Sequence, residues 1–504
     1  MQPTTQIVQQ SIPQTAPHAA QKTARNATAI ALSTLLARGI QFGWILMLGR
    51  LIGVSDFGVY GTIGGMIATA AVIPEFGMGL IVLRDVAQRP AFAGRYLSAT
   101  LVAQPLLACA AYVLLVLAGL LLPYDTATRL LIMLAALSLI VDALGNLYYS
   151  QLIALEQMVA TSAITVIHVG LLIAFVFAVL ITGGGLAGLY VATIAAGMFR
   201  VALHWIAVRR VGIRPLWPID RVVLRSLFNG GWSIALANFV RTSYQHVDKI
   251  IVLWVLGEVY AGYLTAAFVI VFGVTELLNT TVLVALFPLM SRLAQEQPAA
   301  LRRLVDQLAF LTLTAALPLA VGISSLSGKL AGLLFPGFIG TAAVLEVLIW
   351  HTIVVMIGNL YAQVMVIQHR QRRVLIIRVA SLALNIILNL ILLPRIGLPA
   401  AALATLISES LALVLMLIEH QPERATVFDL LGRSARVGLA AVAMALTIAF
   451  LRDVNFIVAG ICGTLVYAVS VLLLRALSTG EWSIVRGVLR TVSQMIPQRR
   501  LSET

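Results

Sequence analysis

The sequence predicts an all-α polytopic membrane protein: about 14 transmembrane helices, in two pseudo-symmetric six-helix bundles followed by two C-terminal helices. Three observations predict it: the composition, a recurrence of apolar runs about 20 residues long, and a repeat with an offset of about 204 residues. Hydrophobic residues make up 60% of the 504 and charged ones 11%, with a mean hydropathy of +0.99. So little polar surface cannot keep a chain of this length dissolved in water. In lipid every backbone polar group must be satisfied internally, and helices do this within a single segment.

The apolar runs lie near 26–52, 58–82, 96–122, 127–153, 160–182, 185–207, 229–256, 261–290, 306–334, 341–368, 372–393, 396–418, 434–451 and 455–476. Each has the length that crosses a hydrocarbon core about 30 Å thick. With both ends cytoplasmic, about 25 Lys and Arg fall in cytoplasmic segments and about 5 outside, the bias of the positive-inside rule. Arg209, Arg210, Arg214, Arg221 and Arg225 carry much of it, as do Arg370, Arg372 and Arg373. The net charge of +14 is thereby read as orientation in a bilayer rather than as affinity for nucleic acid.

The division follows from these runs. Residues 1–25 are polar and Gln/Thr/Pro-rich, lack the layout of a cleaved signal peptide, and are expected to be a disordered cytoplasmic tail. Residues 26–208 form the first six-helix bundle, 209–228 a basic cytoplasmic linker, and 229–419 the second bundle. Two extra spans occupy 420–476. At 477–504 comes a basic tail in which Trp482, Val485, Val488, Leu489, Val492 and Ile496 repeat at helical spacing, as on an interfacial helix. Connections are short, so no extramembrane domain is available for a catalytic site, and no enzyme activity is expected. Cys109 and Cys462 lie far apart in apolar runs, so neither a disulfide framework nor a metal site is expected, and no cofactor.

The repeat shows in Leu51-Ile52-Gly53-Val54-Ser55-Asp56-Phe57-Gly58 against Val255-Leu256-Gly257-Glu258-Val259-Tyr260-Ala261-Gly262. A second match, at about 212 residues, pairs Gly185 through Thr193 with Gly397 through Thr405. Six spans separate equivalent points. An even number keeps the halves in one orientation and implies an axis along the membrane normal with a central cavity.

Arg38 and Arg241 stand near the middle of the first and seventh spans, about 203 residues apart. An arginine at bilayer centre costs roughly 2.5–3.5 kcal/mol on insertion scales, so both are expected to face a cavity or a partner. A guanidinium pair at that depth suits an anion such as phosphate. On the seventh span Arg241, Tyr244, Gln245 and Asp248 follow one another at i, i+3, i+4 and i+7 with Lys249 beside them, a polar stripe expected to line the cavity. Arg38, Arg241, Lys249, Tyr244 and Gln245 are the expected substrate-binding set. Asp142, Asp248, Glu276, Glu346 and His168 are candidates for binding a coupling H⁺ or Na⁺. Asn146, Asn279, Asn359, Gln363 and Asn385 are further polar groups in apolar spans, suited to hydrogen bonding across helices.

Several segments resemble a known family. They are Gly49-Arg50-Leu51 through Tyr60, Val247-Asp248-Lys249-Ile250-Ile251 with Gly257 and Gly262, Phe287-Pro288 through Leu293, and Leu388-Asn389 through Pro394 with Gly397, Ala400, Ala401, Ala404 and Thr405. The chain is similar there to the polysaccharide flippases of the multidrug/oligosaccharidyl-lipid/polysaccharide exporter superfamily, departing from the commonest pattern at Pro399 and Leu264. The resemblance implies a V-shaped transporter of twelve to fourteen helices in the bacterial inner membrane. Its implied cargo is undecaprenyl-diphosphate-linked sugar repeat units, moved from the cytoplasmic to the periplasmic leaflet for O-antigen, capsule or exopolysaccharide. A monomeric transport unit, with a polysaccharide polymerase and a chain-length regulator as partners, goes with it. An H⁺- or Na⁺-coupled multidrug extruder of the same fold is the alternative, and should have an acidic cavity. A lipid II flippase and a polytopic glycosyltransferase stand further off.

Overall fold

A computed structural model describes residues 16–420, 424–451, 453, 455–482 and 486, with side chains from 39–275, 290–420, 432–451, 453, 455–482 and 486. It is all-helical, with no strand among the described residues. The chain folds into two compact units, Met1–Ile52 with Ile63–Thr242, and Gly53–Thr62 with Ser243–Thr504.

The first unit holds most of α1 (Ala16–Ala70), then α2 (Val72–Glu75), α3 (Met78–Gln88), α4 (Ala93–Leu121), α5 (Thr126–Ala136), α6 (Ser138–Ala154), α7 (Met158–Ile181), α8 (Gly185–Arg210) and the start of α9 (Arg221–Leu256). α1 begins inside the stretch expected to be a polar tail, where Ala16, Ala19, Ala20 and Ala24 favour helix. Met78, Ile81, Val86, Leu97, Leu147 and Val208 belong to one buried cluster in this unit.

The second unit holds the rest of α9, then α10 (Glu258–Glu296), α11 (Pro298–Ser325), α12 (Ser327–Leu334), α13 (Thr341–Leu348), α14 (His351–Ile367), α15 (Gln371–Ile396), α16 (Pro399–His420), α17 (Arg424–Leu451) and α18 (Phe456–Leu473). α17 and α18 are not a loose appendix. Val437, Met444, Ile448 and Val471 share a core with Phe310 and Val321 of α11, and the Tyr467 hydroxyl donates to the Thr314 carbonyl at 2.7 Å. The expected interfacial helix at 482–496 lies almost wholly outside the described residues.

Twelve described stretches are long and apolar enough to cross a bilayer, against about fourteen expected. Two places account for the difference. Gly39–Glu75 covers the first two expected spans, because helix resumes immediately after Gly53. The expected span at 229–256 is not among the twelve; α9 crowds Arg241, Gln245, His246, Asp248 and Lys249 into its second half. The helices leave apolar side chains outside in a way that only lipid tolerates. In the apolar window of Met158–Ile181 only 17% of residues are buried.

The repeat has a structural counterpart. Gly53 (φ 81°, ψ 174°) and Gly257 (φ 93°, ψ −178°) hold the same left-handed, extended turn 204 residues apart, a conformation that a side chain strains. Within the second unit the two turns lead into helices that cross at glycine. A Cβ built on Gly58 would strike the Glu258 carbonyl oxygen, and one on Gly262 the Val54 carbonyl oxygen. Ser55 Oγ donates to Glu258 Oε2 at 2.7 Å beside the crossing. Gly262→Val should lower the unfolding temperature in detergent by an amount equivalent to about 1–3 kcal/mol or more. Gly438→Ala, where a Cβ meets nothing within 4 Å, should change it little, and equal effects would refute the close crossing.

Candidate functional site

Three helices of the second unit converge on Asp248. Within α9 it is 1% exposed, and its carboxylate is held from α15 and α16. Asn389 Nδ2 donates to Oδ1 at 2.7 Å and Thr405 Oγ1 to Oδ2 at 2.7 Å. Asn389 Nδ2 also lies 3.1 Å from Asn385 Oδ1, which adds another oxygen beside the carboxylate. One turn earlier on α9, the Tyr244 hydroxyl meets Ser408 Oγ at 2.8 Å and donates to the Thr405 carbonyl at 3.3 Å. Small residues let α16 approach: Ala400, Ala401 and Ala404 are fully buried beside Thr405.

No cation pairs with Asp248 among the described residues. Its neighbour Lys249 is also buried, but directs Nζ at the Phe268 ring, 5.2 Å from the centroid, while its carbonyl accepts from Thr62 Oγ1 at 3.3 Å. Lys249 acts on the carboxylate through its charge but makes no ion pair with it, so the direct hydrogen bonds to Asp248 come from neutral groups, a costly arrangement for a buried charge. Beside the Asn389 amide nitrogen stand the Thr405 hydroxyl and the Asn385 side-chain oxygen, and with the carboxylate these oxygens suit a proton or a hard cation.

A buried ion pair lies on the same helices. Arg378 Nη1 of α15 reaches both oxygens of Glu409 on α16, at 2.9 and 2.8 Å, and Nη2 donates to Asn359 Oδ1 of α14 at 3.1 Å. Glu409 follows Ser408 directly, so the pair and the Asp248 network share α16.

The remaining expected residues are scattered. Arg241 belongs to the first unit, is exposed, and lies within electrostatic reach of Glu75. Gln245 is partly exposed. The polar stripe on α9 is therefore not one wetted surface: Tyr244, Asp248 and Lys249 are buried, because α15 and α16 cover Tyr244 and Asp248 and Phe268 faces Lys249. The side chains of Arg38, Glu276 and Asn279 lie outside the described residues. Glu346 on α13 is exposed and joins neither network; its backbone carbonyl accepts from Ser324 Oγ at 2.9 Å. In the first unit Asp142 of α6 pairs with Arg200 of α8 at 2.7 Å. His168 lies within reach of the same guanidinium, with Nδ1 3.3 Å from the Ala196 carbonyl oxygen.

Asp142 and His168 are thus brought together through Arg200, which the sequence reasoning does not single out; Arg378, Glu409, Thr405 and Ser408 are likewise missed as site residues. A charge inside an apolar span was available as a signal for Arg200, Arg378 and Glu409. Thr405 and Ser408 offer none, since hydroxyls in membrane helices commonly bond their own backbone.

The fold that carries these buried charge networks is similar to that of solved membrane transporters. The chain matches the structure of the lipid II flippase MurJ in an inward closed conformation, with a TM-score of 0.66 and 14% identity over 88% of this chain and 98% of that one. It also matches an inward-facing multidrug resistance MATE family transporter of the MOP superfamily, with a TM-score of 0.58 and 14% identity over 77% and 93%. A third match is the eukaryotic MATE transporter AtDTX14, with a TM-score of 0.56 and 12% identity over 82% and 99%. No curated protein sequence matches the chain. The chain belongs to the polysaccharide biosynthesis protein family, whose model matches residues 47–336, more than half its length.

Proposed function

We propose that the protein is a cation-coupled flippase that moves polyprenyl-diphosphate-linked oligosaccharide repeat units from the cytoplasmic to the periplasmic leaflet, for surface polysaccharide synthesis. The observation that carries coupled transport is Asp248, a buried carboxylate held by Asn389 and Thr405 with no ion-pair partner among the described residues. A proton or Na⁺ would supply the missing positive charge. Its arrival and departure would bias α9, α15 and α16 between two arrangements. The cargo rests on the family, and the lipid II flippase fold supports a lipid-linked substrate.

The arginine distribution favours cytoplasmic termini, and the family resemblance implies a bacterial inner membrane. Arg241 and Arg38 are assigned to the diphosphate, since guanidinium keeps its charge and grips phosphate oxygens with a fork. Gln245, partly exposed, and Lys249, buried against Phe268, are the remaining substrate candidates; Asp142 with His168, on Arg200, is a second candidate for coupling.

The test is complementation of a strain lacking its surface-polysaccharide flippase. The wild-type chain should restore export and clear the accumulated lipid-linked intermediate. Arg241→Ala, at normal protein level, should lower export about 10- to 100-fold, the worth of one charge-assisted phosphate contact. The multidrug reading has a specific basis in the MATE-like fold. Resistance to cationic drugs without restored polysaccharide would favour it over the flippase.

A further inference from the structure

Eight arginines of the first unit come from two stretches distant in sequence, and the fold gathers them around one patch. Arg84 lies on α3, Arg89 in the turn after it and Arg95 at the start of α4. Arg209, Arg210, Arg214, Arg221 and Arg225 run from the end of α8, through its connection, into α9. The stretches are joined at Leu216, whose amide donates to the Gly94 carbonyl at 3.3 Å and to Ser98 Oγ at 2.7 Å, and whose carbonyl accepts from Ser98 Oγ at 2.6 Å. Arg95 pairs with Asp220 at 3.5 Å across the same seam. Beneath it Val86, Ala93, Val208, Ile213, Val223 and Leu227 share one buried cluster, which leaves all eight guanidinium groups exposed.

Four features give this face a chemistry. It contains arginine and no lysine, so its charge comes in planar forks that fit phosphate oxygens. Its two acids, Asp85 and Asp220, are already engaged, and the Arg84 guanidinium bonded to Asp85 holds that carboxyl below the usual carboxylate range. Several guanidinium groups are propped on rings: Arg95 and Arg89 over Phe92 at 5.1 and 5.8 Å, and Arg209 over Trp205 at 5.1 Å. Between the charges stand exposed apolar groups. Trp217 is 63% exposed, and Leu216 and Val222 are also bare. A soluble polyanion would leave those groups in water, whereas a headgroup layer takes charge and indole together.

We infer that this face docks anionic phospholipids, its arginines on their phosphates and Trp217 and Trp205 at headgroup level. The inference stands apart from the cargo, and its test reads lipid contact rather than transport.

The full chain is reconstituted in phosphatidylcholine vesicles containing either brominated phosphatidylglycerol or brominated phosphatidylcholine. Quenching of Trp217 is taken as the difference between wild type and Trp217→Phe. Phosphatidylglycerol should quench Trp217 with at least about fivefold preference, the factor worth roughly one such surface charge. Glutamine at positions 209, 210, 214, 221 and 225 should abolish the preference, while Arg302→Gln with Arg303→Gln should preserve it. Because those five charges also orient the chain, lysine at the same positions keeps the charge, and should retain only part of the preference. Equal quenching by the two lipids in wild type would overturn the inference, as would a preference untouched by the five glutamines. Full retention with lysine would remove its phosphate-fork basis. Displacement of the lipid by dilute inorganic diphosphate would reassign the face to a soluble phosphate.

Discussion

Arg378→Ala is expected to destabilise the protein by about 3–5 kcal/mol, seen as a fall in unfolding temperature in detergent or mixed micelles. Removing the guanidinium strands Glu409, whose side chain is 4% exposed and whose two oxygens both lean on Nη1. It also takes the donor from Asn359 Oδ1. The deficit comes from desolvation, so removing both charges should undo most of it. Arg378→Met with Glu409→Leu should recover the greater part of the loss, because apolar residues of similar volume replace a buried pair at little cost. An Arg378→Ala protein as stable as wild type would mean that water reaches the pair. Arg378→Lys should fall between the two, since an ammonium cannot span Glu409 and Asn359 with one planar group.

Asp248→Asn is expected to uncouple transport. The substitution keeps the shape and removes the negative charge, so the network with Asn389 and Thr405 can largely persist while the site loses its reason to take a cation. Export, or transport in proteoliposomes, should stop responding to Na⁺ and to the proton gradient. The loss of stimulation should lie in the range of about 5–150-fold, typical of coupling between two sites. Thr405→Val removes one donor and leaves the charge, and should weaken the response without abolishing it. Unchanged ion dependence in Asp248→Asn would rule this carboxylate out as the coupling group.

The membrane class was legible because it depends on sums: hydropathy over 20 residues and arginine counts between runs are insensitive to any one position. The turns at Gly53 and Gly257 were legible for the opposite reason, since only glycine sits easily at their φ and the motif recurs. Breaks without such a residue were not. The expected span at 127–153 is divided at Leu137, and that at 341–368 around Ile349 and Trp350, in sequence that is apolar throughout.

The site was legible only in part. The polar run on α9 marked Tyr244, Asp248 and Lys249, but its covering by α15 and α16 depends on alanines and hydroxyls that look ordinary in any membrane helix. The spacing that matched Arg38 with Arg241 also drew attention away from Arg200, Arg378 and Glu409. Those three pair between neighbouring helices of one unit, Arg200 with Asp142 and Arg378 with Glu409.

The crossing of Gly58 and Gly262 has a consequence for how such a sequence can change over generations. Each glycine faces a main-chain oxygen from the opposite repeat, and a main-chain atom cannot be trimmed by substitution. No second mutation can therefore make room for a first at either position. The two matched stretches are thus held to the same residue at equivalent sites, so their likeness should persist there after it has faded elsewhere.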